Sequence, residues 1–133
     1  MHIDNLLVIV TLLAMLVYFW TTTLVARARH KTGIDAPAVT GAPELERAYR
    51  VQMNTLEWLP LFLPSLWLFA YYWNDKVAAA IGVVWILARL YYALSYVRDP
   101  AKRGPGFGLQ ALATGVLLLG ALGKAIWLAV TGG

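Results

Sequence analysis

Four long apolar runs, separated by short polar segments, organise this chain. The first covers about residues 5–26 and carries no charge. At about 1.5 Å per residue, a helix of that length crosses the roughly 30 Å hydrocarbon core of a bilayer. The second begins near Pro43, a favourable first-turn residue, and extends to residue 73. The third covers about 76–98 and is interrupted by Arg89. The fourth covers about 107–130, with Lys124 near its far end, where the long stem can snorkel. Such runs are helices, because an open strand leaves its backbone unsatisfied in lipid. The pattern predicts an all-α fold, an integral membrane four-helix bundle, with residues 1–133 as one domain. Ala26-Arg27-Ala28 loosely fits a signal cleavage site, but His2 and Asp4 precede the run instead of basic residues. A retained first span is expected.

Composition supports this reading. Hydrophobic residues make up 60% of the 133 and charged residues 14%, where soluble domains carry about a quarter charged. A soluble monomer of this size has too little interior for so much apolar side chain. Without cysteine the chain supplies no disulfide, thiolate metal site or cysteine nucleophile. His2 and His30 are too isolated to form a metal set, so no metal is expected.

The net charge of +4 is distributed as membrane topology demands, not as a nucleic-acid surface. The first connection, residues 27–42, holds Arg27, Arg29 and Lys31, and the third holds Arg98, Lys102 and Arg103. The second is merely Asn74-Asp75-Lys76. The positive-inside rule then places connections one and three in the cytoplasm and both termini outside. Either a bacterial inner membrane or the endoplasmic reticulum fits. Gly104-Pro105-Gly106 reads as a turn into span four, since it lacks the lysine and hydroxyl residue of a phosphate loop.

Several polar residues stand where lipid would penalise them. Residues 43–73 as a helix would be about 46 Å long, so the first turns must project beyond the apolar core. There Glu46, Arg50, Asn54 and Glu57 follow steps of four, four and three, which puts them on one face. Pro60 and Pro64 interrupt the hydrogen-bond ladder deeper in. Span three carries a matching stripe of Arg89, Tyr92 and Tyr96. Counted back from the short second connection, Glu57 and Tyr92 lie at about the same depth, roughly 24 Å from it. Asn54 falls near Tyr96, and Arg89 slightly deeper than Glu57. The two stripes share one layer near the cytoplasmic face, where Arg29 and Arg103 also emerge. A simple Glu57–Arg89 pair would neutralise both charges, but it would not require the other polar residues. Intramembrane charges mark functional sites by default and face other helices. Arg50, Arg89 and Arg103 against Glu57 leave a surplus that fits an anionic ligand, with an apolar partner arriving from lipid. Four short helices enclose little space, which favours a site between identical subunits. Elsewhere, Trp20, Tyr71, Trp73 and Trp127 read as interfacial belts, and Tyr18 and Trp67 as helix-packing residues.

The segment from Glu46 to Glu57, ERAYRVQMNTLE, resembles the E-R-x-x-R-x-x-x-N-x-x-E signature of the MAPEG family, the membrane-associated proteins of eicosanoid and glutathione metabolism. It continues into Pro60-Leu61-Phe62-Leu63. The segment Ala88 to Tyr96, ARLYYALSY, is similar to the family's Arg/Tyr/Tyr segment, and Arg103 stands where the family has its catalytic arginine. The resemblance spans nearly the whole chain. It implies a homotrimer with three glutathione sites between neighbouring subunits. It assigns glutathione binding to Arg50, Asn54, Glu57, Tyr92 and Tyr96. Gln52 and Arg29 would reach the ligand from a neighbouring subunit or the loop. Arg89 would support the pocket floor, and Arg103 would face the sulfur as the catalytic residue. Two departures from the leukotriene-forming members stand out. Trp58 replaces a tyrosine, and His30 replaces a second arginine.

The activity so implied is a membrane glutathione transferase acting on hydrophobic electrophiles or lipids from the bilayer, extending to peroxidase activity on lipid hydroperoxides. The charge count agrees, since glutathione carries a net negative charge and gains another as thiolate. Free thiols are only a few per cent ionised near neutrality, and an adjacent arginine favours the anion. Three other readings are an eicosanoid synthase, a non-catalytic binding member and a four-span proton-coupled exporter using Glu57. Such exporters typically place their carboxylate in the first span, whose apolar run here has none.

Overall fold

The computed structural model describes residues 3–133; His2 lies outside them. Four α-helices run up and down: α1 (Asn5–Thr32), α2 (Pro43–Tyr72), α3 (Asp75–Arg98) and α4 (Gly104–Thr131), with a short 3-10 turn at Pro100–Lys102. The inner pair, α2 and α3, pack on each other; α1 and α4 flank them, each packing on both. One end of the bundle gathers the end of α1, the start of α2, the end of α3 and the start of α4. Most of the chain's cations lie at this basic end.

The helix ends follow from local chemistry. The Asp4 side chain accepts from the Leu6 N–H at 2.8 Å and opens α1. Gly33, in the left-handed region with φ 74°, closes it. Asn74 caps α3 by accepting from the Lys76 and Val77 N–H groups. Two element boundaries differ from the sequence-based expectation. The first helix continues six residues past Ala26, so Arg27, Arg29 and Lys31 belong to its last turns and not to a loop. Cations are favoured there by the partial negative charge of a helix C-terminus. The fourth helix starts at Gly104, so Gly104-Pro105-Gly106 is its first turn. Proline in the first turn sacrifices no needed donor and carries a helical φ already. The reversal is made instead by the 3-10 turn, which Asp99 caps through the Ala101 N–H.

Among the described residues, three helical segments are long and apolar enough to cross a membrane: α1, α3 and Pro100–Thr131. The second helix is not as apolar, because its first half carries Glu44, Glu46, Arg47, Arg50 and Glu57. It nevertheless remains one helix of 30 residues through Pro60 and Pro64. Its second half joins the other three helices in the main core: Phe62 stacks on Trp85 of α3, centroids 4.0 Å apart, with Leu66 fully buried nearby. The Trp67 indole N–H donates to Thr11 Oγ1 at 3.0 Å and ties α2 to α1, in keeping with a packing role. At the far end, Trp73 donates to the Gly120 carbonyl, and Lys124 Nζ sits 4.7 Å from the Trp73 ring centroid.

Two glycines let helices approach closely. At Gly82 an added Cβ would lie 2.5 Å from Val10 Cγ1, so α1 crosses α3 there. At Gly106 it would lie 2.7 Å from the Tyr92 N and 2.9 Å from its Cα. Those are backbone atoms and cannot swing away. The start of α4 is therefore seated directly on α3 at Tyr92, which fixes where Arg103 and Phe107 stand. Gly106→Ala should lower stability by about 1–3 kcal/mol, as overpacking does. Gly104→Ala, with open space at the Cβ, should stay within about 0.5 kcal/mol. Thermal unfolding of both in one detergent checks the contrast; equal midpoints would show that α4 is not seated as described.

Candidate functional site

The site grows from one buried cation. Arg89 has no exposed surface, yet no carboxylate among the described residues pairs with it. Its Nη1 donates to Asn54 Oδ1 at 2.8 Å and its Nη2 to Thr55 Oγ1 at 2.7 Å. The guanidinium carbon lies 4.4 Å from the Tyr92 ring centroid and 6.0 Å from that of Trp85. Tyr92 is three residues further along α3, so the Arg89 side chain runs toward the basic end. The expected height difference from Asn54 is bridged by that long stem. A Glu57–Arg89 pair is thereby ruled out as the reason for the charges. Glu57 instead pairs with Arg50, about two turns away on its own helix, at 3.3 Å.

Above this anchor lies a cavity of about 360 Å³ lined by Arg50, Asn54, Tyr92, Tyr96, Arg103 and Phe107. Three helices build it. The second helix supplies Arg50 and Asn54 from the polar stripe. The third supplies Tyr92 and Tyr96, whose rings are 5.7 Å apart. Arg103, which caps the start of α4, and Phe107, in its first turn, lie on the same face by their spacing of four. The Arg103 Nη1 donates to the Pro100 carbonyl at 2.7 Å, which ties its guanidinium to the 3-10 turn. Arg50 and Arg103 are both exposed, while Asn54 and Tyr92 are buried. The cavity thus has a neutral, hydrogen-bonding floor backed by a fixed cation and a cationic rim.

Of the residues singled out from sequence, the structure brings Arg50, Asn54, Tyr92, Tyr96 and Arg103 to the cavity wall, with Glu57 and Arg89 in contact with wall residues. It does not bring Arg29 or Gln52 there within one chain. Arg29 Nη1 donates to the Ala38 carbonyl at 2.7 Å and to Ile34 at 3.3 Å, holding the α1–α2 loop. Gln52 projects from a different face of α2 and does not line the cavity. Phe107 was missed, although its position four after Arg103 was the available signal. Its ring meets Trp58 edge-on at 5.5 Å and Tyr92 at 6.0 Å. Trp58 therefore packs behind the cavity. Gln110, fully buried on α4, was also missed; its amide, Arg89 Nε and Trp85 Nε1 have no hydrogen-bond partner among the described residues.

The MAPEG family pattern matches residues 7–123, nearly the full length of the chain. This chain belongs to the MAPEG family. It is 43% identical over 105 residues to microsomal glutathione S-transferase 2 of Homo sapiens, covering 76% of this chain and 69% of the relative. It is 41% identical over 98 residues to leukotriene C4 synthase of Cavia porcellus, covering 74% of this chain and 65% of that one. An uncharacterized protein of Synechocystis sp. is 45% identical over 119 residues, covering 90% and 87%. Membership of this membrane family and three helices of spanning length and apolarity make the chain a membrane protein.

The Arg89–Asn54 contact is open to measurement. Asn54→Leu removes an acceptor from a buried cation, which should destabilise the fold by about 1–3 kcal/mol. It should also leave Arg50→Gln, a rim variant, far closer to the parent. Thermal denaturation in detergent distinguishes them, and an Asn54→Leu midpoint matching the parent would refute the anchor.

Proposed function

We propose that this MAPEG chain is a membrane glutathione transferase. The observation that carries the proposal is the cavity of about 360 Å³ in which Arg50, Asn54, Tyr92, Tyr96 and Arg103 converge. Its chemistry suits a small polar anion. Arg50 takes a glutathione carboxylate, Asn54 and the tyrosines supply directional hydrogen bonds, and Glu57, beside Arg50, receives the ligand's ammonium. Arg103 faces the sulfur. Relatives whose names carry glutathione transfer and leukotriene synthesis support the same class of chemistry.

In the reaction proposed, the bound thiol loses its proton to solvent and the thiolate is held by the Arg103 charge. A guanidinium stays protonated where an ammonium could release its proton. With a chlorinated aromatic, a sulfur lone pair forms the C–S bond and chloride departs with the C–Cl bonding pair. The thiolate is the reactive form. Reduction of lipid hydroperoxides, with a second glutathione closing the disulfide, is the secondary activity proposed for the same site.

The working unit proposed is a homotrimer with its sites between subunits near the cytoplasmic face. A groove of about 520 Å³ between α1 and α2, lined almost wholly by apolar side chains, supports an apolar neighbour there. Arg29 and Gln52, absent from the cavity of their own chain, then reach a neighbour's ligand. The electrophile enters from the bilayer. A proton-coupled exporter is less well supported, because Glu57 is tied to Arg50 and half-exposed.

Arg103→Ala should lower conjugation of a chlorinated aromatic by about 10²-fold in kcat, the scale set by losing one charge-stabilising group. Arg103→Lys should recover part of it. Product formation measured in detergent decides; unchanged turnover in Arg103→Ala removes the assigned role. Native mass spectrometry of the same preparation should give three times the 14.7 kDa chain mass, and a monomer active at full rate would contradict the shared site.

A further inference from the structure

A second cavity, of about 400 Å³, lies at the basic end and shares no lining residue with the first. Leu24, Arg27, Ala28 and Lys31, at positions i, i+3, i+4 and i+7 of α1, form one wall. Arg47 and Ala48 of α2 and Val97 of α3 form the rest, with Glu44 at the edge. Three cations therefore face one carboxylate. The Lys31–Glu44 pair at 3.3 Å is mostly exposed and neutralises little. Arg27 and Arg47 have no carboxylate partner among the described residues. The Arg47 Nη1 rests on the Arg98 carbonyl at 3.4 Å, which holds the guanidinium at the mouth. Leu24, Ala28 and Ala48 are apolar, and the wall they make continues along α1 into the segment of spanning length.

We propose that this cavity binds the headgroup of an anionic phospholipid, with the phosphate between Arg27 and Arg47 and the acyl chains leaving along Leu24 and Val97. Charge sets the class of headgroup, since a zwitterionic lipid brings no net charge to the surplus cations. The apolar wall sets the source, since a free phosphate has nothing to place against Leu24 and Val97. Position agrees: basic pockets between spanning helices at the cytoplasmic side are the sites that take anionic headgroups. Arg27 is then more than a topology determinant. Arg27 and Arg47 tie the end of α1, the start of α2 and the end of α3 together through a shared lipid, one turn before Arg50 on the helix that also carries Asn54.

The test uses the purified full chain in mixed micelles containing equal phosphatidylglycerol and phosphatidylcholine, with retained lipid counted by native mass spectrometry. Phosphatidylglycerol should be retained preferentially, and each of Arg27→Gln and Arg47→Gln should reduce that preference about fivefold. Lys102→Gln, an exposed cation outside the cavity, should leave it unchanged. Circular dichroism confirms that the variants keep their helices. Should Arg47→Gln lose them, Arg27→Gln at its exposed position carries the test alone. Equal retention of the two lipids, or an equal loss in Lys102→Gln, overturns the site in favour of a diffuse basic surface. Displacement of the lipid by millimolar inorganic phosphate overturns the lipid as its occupant. Loss of preference only together with a change in oligomeric mass assigns the cavity to contacts between copies and overturns the proposal.

Discussion

A guanidinium with no exposed surface, gripped by Asn54 and Thr55 and laid against the Tyr92 ring, determines how α2 and α3 can pack. An unpaired cation in an apolar bundle is expensive, so its donors must be satisfied wherever the helices place them. Sliding α2 along α3 by one turn, about 5.4 Å, would strip both acceptors from Arg89. The contact therefore sets register. Because Asn54 and Tyr92 are also cavity floor, the same contact that sets register builds the site.

The fourth helix is fixed to this pair by a different device. At Gly106 the absence of a side chain lets backbone meet backbone at Tyr92. Arg103 and Phe107, at either side of Gly106, are thereby placed at the rim with little freedom. The site thus rests on one polar contact and one steric contact, both centred on the segment from Arg89 to Tyr92. Cations at the rim remain exposed and available to a ligand. That division, a locked floor and an open charged rim, suits capture of an anion whose reactive end must stay accessible.

Much of this was legible because membrane physics makes polar residues conspicuous. The steps linking Arg50, Asn54 and Glu57 on α2, and Arg89, Tyr92 and Tyr96 on α3, put both stripes in one layer from the spacing alone. What periodicity could not supply was partner choice. It offered Glu57 to Arg89 by depth, whereas the flexible stem of Arg89 reaches past that level to Asn54 and Thr55. Helix ends were misplaced where charge masked continuation: α1 runs on through Arg27, Arg29 and Lys31 because Gly33, not the first cation, ends it. Arg29 could not be placed either, since a loop carbonyl at Ala38 competes for it and loops leave no periodic trace. Phe107 and Gln110 were hidden in an apolar run whose facing pattern depends on where α4 begins.

The polar layer set by Arg89 is proposed to bind glutathione and to favour its thiolate. The most direct measurement is the ultraviolet thiolate absorbance of the purified parent chain during titration with glutathione, at a pH below the ordinary thiol range of about 8.5. The account predicts a thiolate signal that rises and saturates as the sites fill, and that vanishes when S-methylglutathione competes. A signal no larger than that of free glutathione at the same pH, at every concentration, would contradict it.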